Sequence, residues 1–411
     1  MTTRRTTVTA AVAAALATGL TTGAALAAVG PGHASAATSA PSLTIPAGAT
    51  ITVAGRGYGH GHGLSQYGAQ GAARQGRTAL QIVRFYYPHT RSGTAKDVVR
   101  VHITADTDNN TTVMARSGLE VRDLRTGTTT PVPTTGPVSK ASRWRLSAGP
   151  GGTTKVSYLT GSWHLWKKLV GDGELRGSGA LRLVLPSAVV TYRGALQSRS
   201  LPGTPAGHRV TVNRVALDGY VRGVIPREMP ASWLPAALRA QAIAARTYAA
   251  FEVADSTNRI YQLCDSAACQ VYGGASAEFA STNQATTATA GQIRTFHGAP
   301  AFTQFSASNG GWTSAGGKPY LVAEKDPFDP WSGNPYRSWT TKVTAAAIEK
   351  AWPSLGHLTG ITIGTRDGHG LWGGRVEKMT LHGRTTANLA VTGDDFRSRL
   401  GLRSTWFNLS V

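Results

Sequence analysis

Hydrophobic and polar residues alternate with a period of two over a long stretch in the first half of the chain. The alternation runs from Val98 to about Gly194 and is clearest in the segments VVRVHI, LEVRDL, TKVSYL and ALRLVLP. Clusters of Thr, Pro and Gly separate these segments. Such alternation with turn residues between the runs is typical of half-buried strands. The pattern predicts a β-rich module over residues 95–190.

The strongest helical pattern begins at Leu234, in the Ala-rich run LPAALRAQAIAARTYAAF. Leu234, Leu238 and Ile243 form an apolar stripe along it, Ser232 is a candidate N-cap, and Pro235 suits the first turn. Shorter helices are predicted over 78–87, 275–290, 344–352 and 394–400.

The first 36 residues have the composition of an export signal. Arg4 and Arg5 precede a weakly apolar stretch from Val8 to Val29, and small residues stand at 34–36. Cleavage is expected after Ala36 or Ala28, which gives a protein secreted to the cell wall; the alternative is an uncleaved membrane anchor. Residues 37–54 are predicted to be a linker that ends in a short strand.

The charge of the chain is strongly positive. There are 42 Lys and Arg residues against 21 Asp and Glu residues, which gives a net charge of +21, and the two arginines of the signal account for two of these charges. Such a balance predicts attraction to a polyanion, and for an exported protein these are the cell-wall polymers. The basic residues form no run and no nucleic-acid module, so no nucleic-acid partner is predicted.

Only two cysteines are present, Cys264 and Cys269 in the segment LCDSAACQ. In an exported chain such a pair favours a disulfide, which closes a loop too short to add more than modest stability. The alternative is a zinc site. No histidine lies beside the pair, and His297 is the nearest in sequence, so no metal is predicted here.

Glu228 stands in the segment GVIPREMP, immediately before the helical run that begins at Leu234. Pro226 and Pro230 restrict the backbone on both sides of it. A carboxylate held rigidly at the mouth of a helix is placed as a catalytic acid would be. It is equally placed as a structural group favoured by the helix dipole.

Several segments together resemble the SpoIID/LytB family. These are Gly223–Ala249, which is long and specific, then the Ser-Asn-Gly-Gly turn in Phe305–Gly316, a glycine-histidine block at Gly55–Thr90, and the tail Trp339–Phe407. The resemblance implies an α+β fold, with a SpoIID-like catalytic domain over 191–411 and the β-rich module as an insert. In the family the glycine-histidine block usually lies at the carboxyl end of the domain. Its position here, in residues 55–94, predicts a circular permutation with the block packed against Gly223–Ala249.

The resemblance also implies a function in peptidoglycan chemistry. SpoIID-like members are lytic transglycosylases of peptide-stripped glycan strands, whereas LytB-like members enhance an amidase. Glu228 matches the catalytic acid/base of the family. One carboxyl group is sufficient for this reaction, because the C6 hydroxyl of the substrate is the nucleophile. Hydrolysis would need two carboxyl groups. No cofactor is required, and the partners are glycan strands and a possible cell-wall amidase.

Further substrate contacts are expected from polar residues that line the groove in the segments that carry the resemblance. The candidates are Tyr58, His60, Ser65, Gln66, Gln241, Arg246, Ser308 and Asn309. Several have structural alternatives: Arg246 as a buried bridge, and Ser308 and Asn309 as a turn. His60 and His62 have the spacing of metal ligands on a strand, but position 62 is usually aliphatic in the family, so no metal is predicted. Trp312, Trp331 and Trp339 are candidate sugar platforms or core residues.

The pKa of Glu228 poses a problem for this hypothesis. A helix amino end and Arg227 both favour the ionised carboxylate, whereas an acid catalyst needs a raised pKa. The hypothesis therefore requires that Glu228 be shielded from solvent, under Met229, Trp233 and the glycine-rich block. The insert either contributes to wall binding or serves only in packing.

Overall fold

Strands outnumber helices in the described part of the chain, which in this computed structural model comprises residues 42–205, 207–256 and 259–411. Its seven α-helices are α1 Gln66–Arg74, α2 Ala79–Tyr86, α3 Leu217–Glu228, α4 Pro235–Asp255, α5 Ala280–Ala288, α6 Ala345–Ala351 and α7 Gly393–Leu400. None of the described helices is both long enough and apolar enough to cross a bilayer. The predicted export signal lies outside the described residues.

The described strands are short, and the longest has nine residues. In chain order they are β1 Ser42–Thr44, β2 Thr50–Gly55, β3 Leu64–Ser65, β4 Arg91–Thr94, β5 Val98–His102, β6 Thr111–Met114, β7 Leu119–Asp123, β8 Thr129–Pro131, β9 Arg143–Ala148, β10 Thr154–Thr160, β11 Ser162–Leu169, β12 Gly173–Gly177, β13 Leu181–Val184, β14 Val189–Tyr192, β15 Ala195–Arg199, β16 Val210–Ala216, β17 Leu263–Cys264, β18 Gln292–Phe296, β19 Ala299–Pro300, β20 Phe305–Ser306, β21 Trp339–Thr344, β22 Leu358–Arg366, β23 Val376–Gly383, β24 Leu389–Thr392 and β25 Phe407–Ser410.

Two larger sheets occupy the first part of the chain. One has seven strands in the order β17-β5-β16-β15-β12-β7-β8, and the other has six in the order β11-β10-β9-β6-β13-β14. Both are antiparallel except for the pair β17 and β5. The six-stranded sheet is built entirely from residues 111–192, where the alternation predicts strands. The seven-stranded sheet combines insert strands with β15 to β17, so the boundary at residue 190 does not separate two independent sheets.

Four smaller sheets complete the molecule. They are β1-β22-β23-β24, β21-β2-β25, β19-β18-β4 and the parallel pair β20-β3. The first two use residues 42–55. The short strand predicted at the end of the linker is β2, whereas β1 lies in a part for which no strand was predicted. Here β2 lies between β21 and β25, with Thr52 opposite Ser410 and Gly55 opposite Phe407.

Two hydrophobic cores are present in the described chain. The larger contains residues from Leu64 to Leu321 and includes the centre of α4, which is buried on all sides from Ala240 to Thr247, together with the inner faces of both larger sheets. The smaller is formed by residues 45–53 and 339–407, around Ile51, Ile361 and Phe407. The amino-terminal strands thus share a core with the carboxyl-terminal quarter of the chain.

Most predicted helices are confirmed, with differences at their ends. The run from Leu234 forms α4, in which Leu238 and Ile243 are buried while Leu234 is exposed. Ser232 is not the cap, because Leu234 holds that position and Pro235 is the first helical residue. The helix predicted over 275–290 is a short 3₁₀ turn, Ala275–Ala277, followed by α5.

Two helices were not predicted. No helix was predicted within residues 55–76, yet this glycine-dense segment contains α1. The region before Glu228 forms α3, and Pro226 lies inside its last turn. Proline lacks an N–H group and is usually unfavourable within a helix, so a helix that includes Pro226 was not predicted.

Candidate functional site

The Glu228 carboxyl group is held by hydrogen bonds from two separate parts of the chain. The backbone N–H of Val271 donates to Oε1 at 3.0 Å. The side-chain amide of Gln66, the first residue of α1, donates to Oε2 at 3.2 Å. Because these donors approach different oxygens, they fix both the position and the rotation of the carboxyl group. The glycine-histidine block is therefore in direct contact with the Glu228 segment.

Glu228 lines a cavity of about 260 Å³. The other walls are His60, Tyr248, the end of the Cys264–Cys269 loop as far as Val271, and Gln304 with Phe305. Among these described lining residues, Glu228 is the one carboxylate. A single acid in a partly enclosed depression suits proton transfer to a bound group better than chemistry that needs paired carboxylates.

Burial has the largest influence on the Glu228 carboxyl group and raises its pKa above the ordinary value. The hydrogen bonds from Val271 and Gln66 lower the pKa and offset part of this rise. Arg227 is exposed, and no ion pair between Arg227 and Glu228 is found in the described chain.

The helix geometry around Glu228 differs from the prediction. Glu228 is the last residue of α3 rather than a residue at the amino end of α4. The carboxyl end of a helix carries partial negative charge and disfavours a carboxylate. The predicted conflict between the helix dipole and a raised pKa is therefore wrong, because the dipole of α3 acts in the same direction as burial.

His60 borders the same cavity and is neutral at physiological pH. Burial lowers the pKa of the imidazole to about 3, and the nearby His62 and Arg375 act in the same direction. Its Nδ1 accepts a hydrogen bond from the backbone N–H of His62 at 2.9 Å, and the two rings stack with centroids 4.8 Å apart. Because Nδ1 accepts this bond, the neutral ring carries its proton on Nε2.

Tyr58 and the predicted tryptophan platforms lie outside the lining of this cavity. Tyr58 is 42% exposed and packs edge-on against Tyr336 at a centroid distance of 4.9 Å. Trp339 is buried in the smaller core, and Trp312 stacks on His369 at 5.0 Å. Trp331 packs beside α1 and donates from its indole nitrogen to the Tyr67 carbonyl at 2.9 Å.

Two glycines explain how α1 delivers Gln66 to Glu228. A Cβ atom on Gly68 would lie 2.0 Å from the Tyr86 hydroxyl, and one on Gly71 would lie 2.0 Å from the Phe328 carbonyl oxygen. No larger residue fits at either position without moving the helix away from its neighbours. The glycines at these two positions are therefore required by close packing.

The prediction that Ser65, Ser308 and Asn309 contact substrate is wrong. All three are fully buried, where they donate hydrogen bonds to a pair of buried carboxyl groups that were not predicted. Both serine hydroxyls donate to Asp329, and the Asn309 amide donates to Asp326 at 2.7 Å.

This carboxyl pair needs its donors because burial disfavours two adjacent charges. Burial and the neighbouring charge of Asp329 raise the pKa of Asp326 to about 6, while donors such as the Tyr86 hydroxyl act in the opposite direction. The network joins α1, α2 and the turn at residues 308–311. It therefore fixes the glycine-histidine block on the rest of the molecule.

Arg246 and Gln241 are likewise structural rather than exposed to the cavity. The Arg246 side chain is fully buried in α4, where its Nε donates to Asp218 at 2.7 Å and its terminal nitrogens donate to backbone carbonyls. This matches the structural alternative for Arg246. Gln241 is also fully buried, and its amide has no hydrogen-bond partner among the described residues. The prediction of substrate contact is wrong for both.

Arg375 supports the site and was not predicted. Its guanidinium group is almost completely buried and donates to the carbonyls of Gly59 at 3.3 Å and Asn309 at 3.1 Å. Burial lowers its pKa to about 10, so it remains charged. A Cβ atom on Gly61 would lie 2.3 Å from Arg375, which explains the glycine there. Nothing in the local pattern around Arg375 indicated this contact, which spans more than 300 residues.

Cys264 and Cys269 form the predicted disulfide. The closed loop contributes Ala267, Ala268 and Cys269 to the cavity wall, and Val271 follows two residues later. This short loop therefore borders the Glu228 cavity, which the sequence did not indicate. Across the described chain, no group of three or more His, Cys, Asp or Glu side chains is arranged to hold a metal ion.

Comparisons with known proteins agree with the family resemblance. The SpoIID family, described as stage II sporulation protein, matches residues 206–296, which include α3, α4 and the disulfide loop. The amidase enhancer of Bacillus subtilis (strain 168) is 38% identical over 135 residues, which cover 31% of this chain and 17% of that protein.

Two stage II sporulation D proteins match over longer stretches. The protein from Bacillus subtilis (strain 168) is 30% identical over 252 residues, covering 54% of this chain and 64% of the relative. The protein from Bacillus amyloliquefaciens is 29% identical over 220 residues, covering 48% and 61% respectively. The chain thus spans less than two thirds of the length of each of these relatives.

Proposed function

The chain belongs to the SpoIID/LytB family, and from this premise we propose that it is an exported lytic transglycosylase of peptidoglycan. The substrate would be a glycan strand without stem peptides, cleaved at the MurNAc–GlcNAc bond. One observation carries the proposal: Glu228 is the sole carboxylate among the described residues that line its cavity, and burial raises its pKa.

In the proposed reaction, the protonated Glu228 carboxyl group donates its proton to the glycosidic oxygen. The bond from this oxygen to C1 of MurNAc breaks, and the departing sugar takes the proton as a new hydroxyl group. The Glu228 carboxylate then accepts the proton of the C6 hydroxyl of the same MurNAc. Oxygen O6 forms a bond to C1 and closes a 1,6-anhydro ring, so no water is consumed and Glu228 is protonated again.

The surroundings of Glu228 suit both halves of this cycle. Burial favours the protonated form before cleavage. After proton transfer, the donors Val271 and Gln66 stabilise the carboxylate. The neutral His60 ring adds no positive charge that would lower the pKa of Glu228. We propose that His60 and Tyr248 contact the sugar, since they share the cavity wall.

Product analysis tests the proposal directly. The mature protein is incubated with peptide-stripped glycan strands, and the new ends are analysed by mass spectrometry before and after borohydride reduction. Anhydro ends are lighter than hydrolysed ends by one water and resist reduction. Glu228→Gln should lower the rate of their formation about 100-fold or more, because the amide cannot donate the proton.

The matched control is Glu377→Gln, which removes the same charge at an exposed position on β23. Its rate should equal that of the wild type. Anhydro ends formed at an undiminished rate by the folded Glu228→Gln protein would remove Glu228 from the catalytic role. Reducible ends would indicate hydrolysis instead.

The second candidate function is that of a glycan-binding enhancer of a cell-wall amidase, which the 38% identity to a protein named amidase enhancer favours. In that case the protein would yield no anhydro ends but would raise the rate at which a purified amidase releases stem peptides. Glu228→Gln would retain this stimulation. The two functions are therefore separated by the same pair of proteins.

A further inference from the structure

The outer face of the six-stranded sheet carries an unbalanced set of positive charges. The strands of this sheet contain six Lys and Arg residues and no Asp or Glu. Alternation places most of them on one side. Val113, Trp144, Leu146 and Val156 point into the larger core, so their neighbours along each strand point outward. The resulting surface, called the basic face below, consists of Arg143, Arg145, Lys155, Lys168 and Arg182 with Trp163 and Leu165.

Strand pairing places these residues in adjacent rows. Arg143 lies opposite Leu159, which lies opposite Trp163, and this forms one row. The next row contains Arg145, Ser157 and Leu165. Successive rows are about 7 Å apart and neighbouring strands about 5 Å apart. The cations therefore form an extended array along and across the strands rather than a single pocket.

The pairing of Lys155 with Lys168 is the strongest evidence that the basic face binds a ligand. They are directly opposite each other on β10 and β11, and both are exposed. Like charges at directly opposed positions destabilise a sheet. No described acidic side chain forms an ion pair with either lysine. An anion placed between them would remove the repulsion.

Arg145 and Trp163 add a flat apolar surface to the basic face. The Arg145 guanidinium group lies over the Trp163 ring, 3.9 Å from its centroid. Its Nε is buried and has no hydrogen-bond partner in the described structure. Asp108, in the loop before β6, is the acid that acts on Arg145 electrostatically, without a direct bond. Trp163 remains partly exposed beside Leu165, which is 53% exposed. A half-exposed indole next to cations suits a sugar ring that carries negative charge.

We propose that the basic face binds a linear cell-wall polysaccharide with phosphodiester groups in its backbone. A phosphodiester chain presents successive charges along its length, which matches cations repeated along extended strands. Carboxylates of wall peptides stand at the ends of branches and do not repeat in this way. Guanidinium groups also bind phosphate through paired hydrogen bonds. The proposal rests on the wall location in the proposed function but not on catalysis by Glu228.

The test measures binding to purified walls before and after treatment with hydrofluoric acid, which cleaves phosphodiester polymers from peptidoglycan. The wild type should bind untreated walls about ten-fold more tightly than treated walls, and this difference should shrink as salt is added. Lys155→Ser/Lys168→Ser should lose most of the difference, and Trp163→Ala should weaken binding without changing its salt dependence.

The matched control is Lys342→Ser/Lys378→Ser, which removes the same charge from exposed strand positions in the smaller sheets. It should bind as the wild type does. Equal binding of the wild type to treated and untreated walls would overturn the proposal. So would equal losses in the Lys155/Lys168 and Lys342/Lys378 variants.

A failure of the proposed catalytic function gives a different result. Formation of anhydro ends from soluble peptide-stripped strands should be unaffected by the Lys155/Lys168 variant, because the basic face contributes no residue to the Glu228 cavity. If the wild type binds walls but forms no anhydro ends, the catalytic proposal is contradicted and the binding proposal is not.

Discussion

The hydrogen bond from Gln66 to Glu228 links the pKa of the proposed acid to the glycine-histidine block. This bond favours the carboxylate and so opposes the effect of burial. Gln66→Ala should raise the pKa of Glu228 further. The alkaline limb of the activity profile, where the acid form is lost, should then move to higher pH. The measurement is kcat/KM for product formation against pH.

Gln66 also positions the carboxyl group. Gln66→Ala should therefore lower the maximum kcat/KM as well as move the alkaline limb to higher pH. Gln75→Ala is a suitable control, since Gln75 is exposed at the end of the same helix. A limb that stays in place, or moves to lower pH, would show that the Gln66 amide does not act on the ionisation of Glu228.

Arg375 contributes mainly to the free energy of unfolding. Arg375→Met should remove the donors to Gly59 and Asn309 and leave both carbonyls buried and unpaired. Loss of such a buried charged donor lowers the free energy of unfolding by about 2–4 kcal/mol. Chemical denaturation measures this change, and Arg384→Met, at an exposed position, should cause almost none. An unchanged stability for Arg375→Met would contradict the structural role.

Among individual residues, Glu228 could be predicted from the sequence because its segment is specific to the family and acidic residues are scarce in this chain. It did not separate cavity residues from buried ones. His60 and Ser65 stand in one glycine-rich segment, yet only His60 borders the cavity, while Ser65 donates to Asp329. That difference depends on Asp329, which lies 264 residues further along the chain. No local pattern contains this information.

At the scale of elements, the disulfide loop should act on catalysis more than on stability. Cys264→Ala/Cys269→Ala removes the cross-link of a very short loop, which lowers the free energy of unfolding by about 2 kcal/mol at most. The loop ends just before Val271, the donor to Glu228 Oε1. Its loosening should lower kcat and raise the pKa of Glu228, with a smaller effect on KM. Kinetics with and without reductant measure this effect.

Reduction of the wild type should reproduce the effect of the double substitution, whereas the double variant should not respond to reductant. Equal activity of the oxidised and reduced wild type would show that Val271 keeps its position without the disulfide. In that case the loop would have only a structural role.

The helices differ in how far their local sequence accounts for their formation. Helix α4 was predictable because its long run is rich in alanine, the residue with the highest helix propensity. Helix α1 was not, because Gly68 and Gly71 are unfavourable for helix formation by about 1 kcal/mol each in isolation. Their presence reflects the close approach of Tyr86 and Phe328, and this is tertiary information.

At the scale of the whole molecule, the α+β class agrees with the helices and sheets, and the six-stranded sheet follows the predicted insert. The shared seven-stranded sheet could not be predicted, because alternation identifies strands but not their partners. The part of segment 42–54 before the predicted short strand was treated as a linker for the same reason. It contains β1, which pairs with β22, and the next strand β2 pairs with β21 and β25, so all of these partners lie towards the other end of the chain.

The proximity of β2 and β25 leads to a test of the predicted circular permutation. Since Ser410 lies opposite Thr52, the next facing pair is Val411 with Ile51, and an inserted Asn-Gly together with Thr50 should connect them as a three-residue hairpin loop. New termini between Lys96 and Asp97 fall at exposed positions outside the described strands. The resulting protein, with the glycine-histidine block at its carboxyl end, should fold and form anhydro ends. Loss of β1, which pairs with β22, and of the buried Ile45 side chain should lower its unfolding free energy, by about 2–3 kcal/mol for Ile45 alone.

Two controls isolate the effect of connectivity. A linear protein that lacks residues 1–49 should fold with the same loss of stability, since it lacks the same contacts. The Asn-Gly connection with new termini between Ala244 and Ala245 should not fold, because this break interrupts the buried centre of α4. If the linear protein folds and the protein opened at Lys96 does not, the family order of segments is incompatible with this fold and the predicted permutation is wrong. If the linear protein and the protein opened at Lys96 both fold and remain active, the segment order of this chain and that of the family specify the same structure.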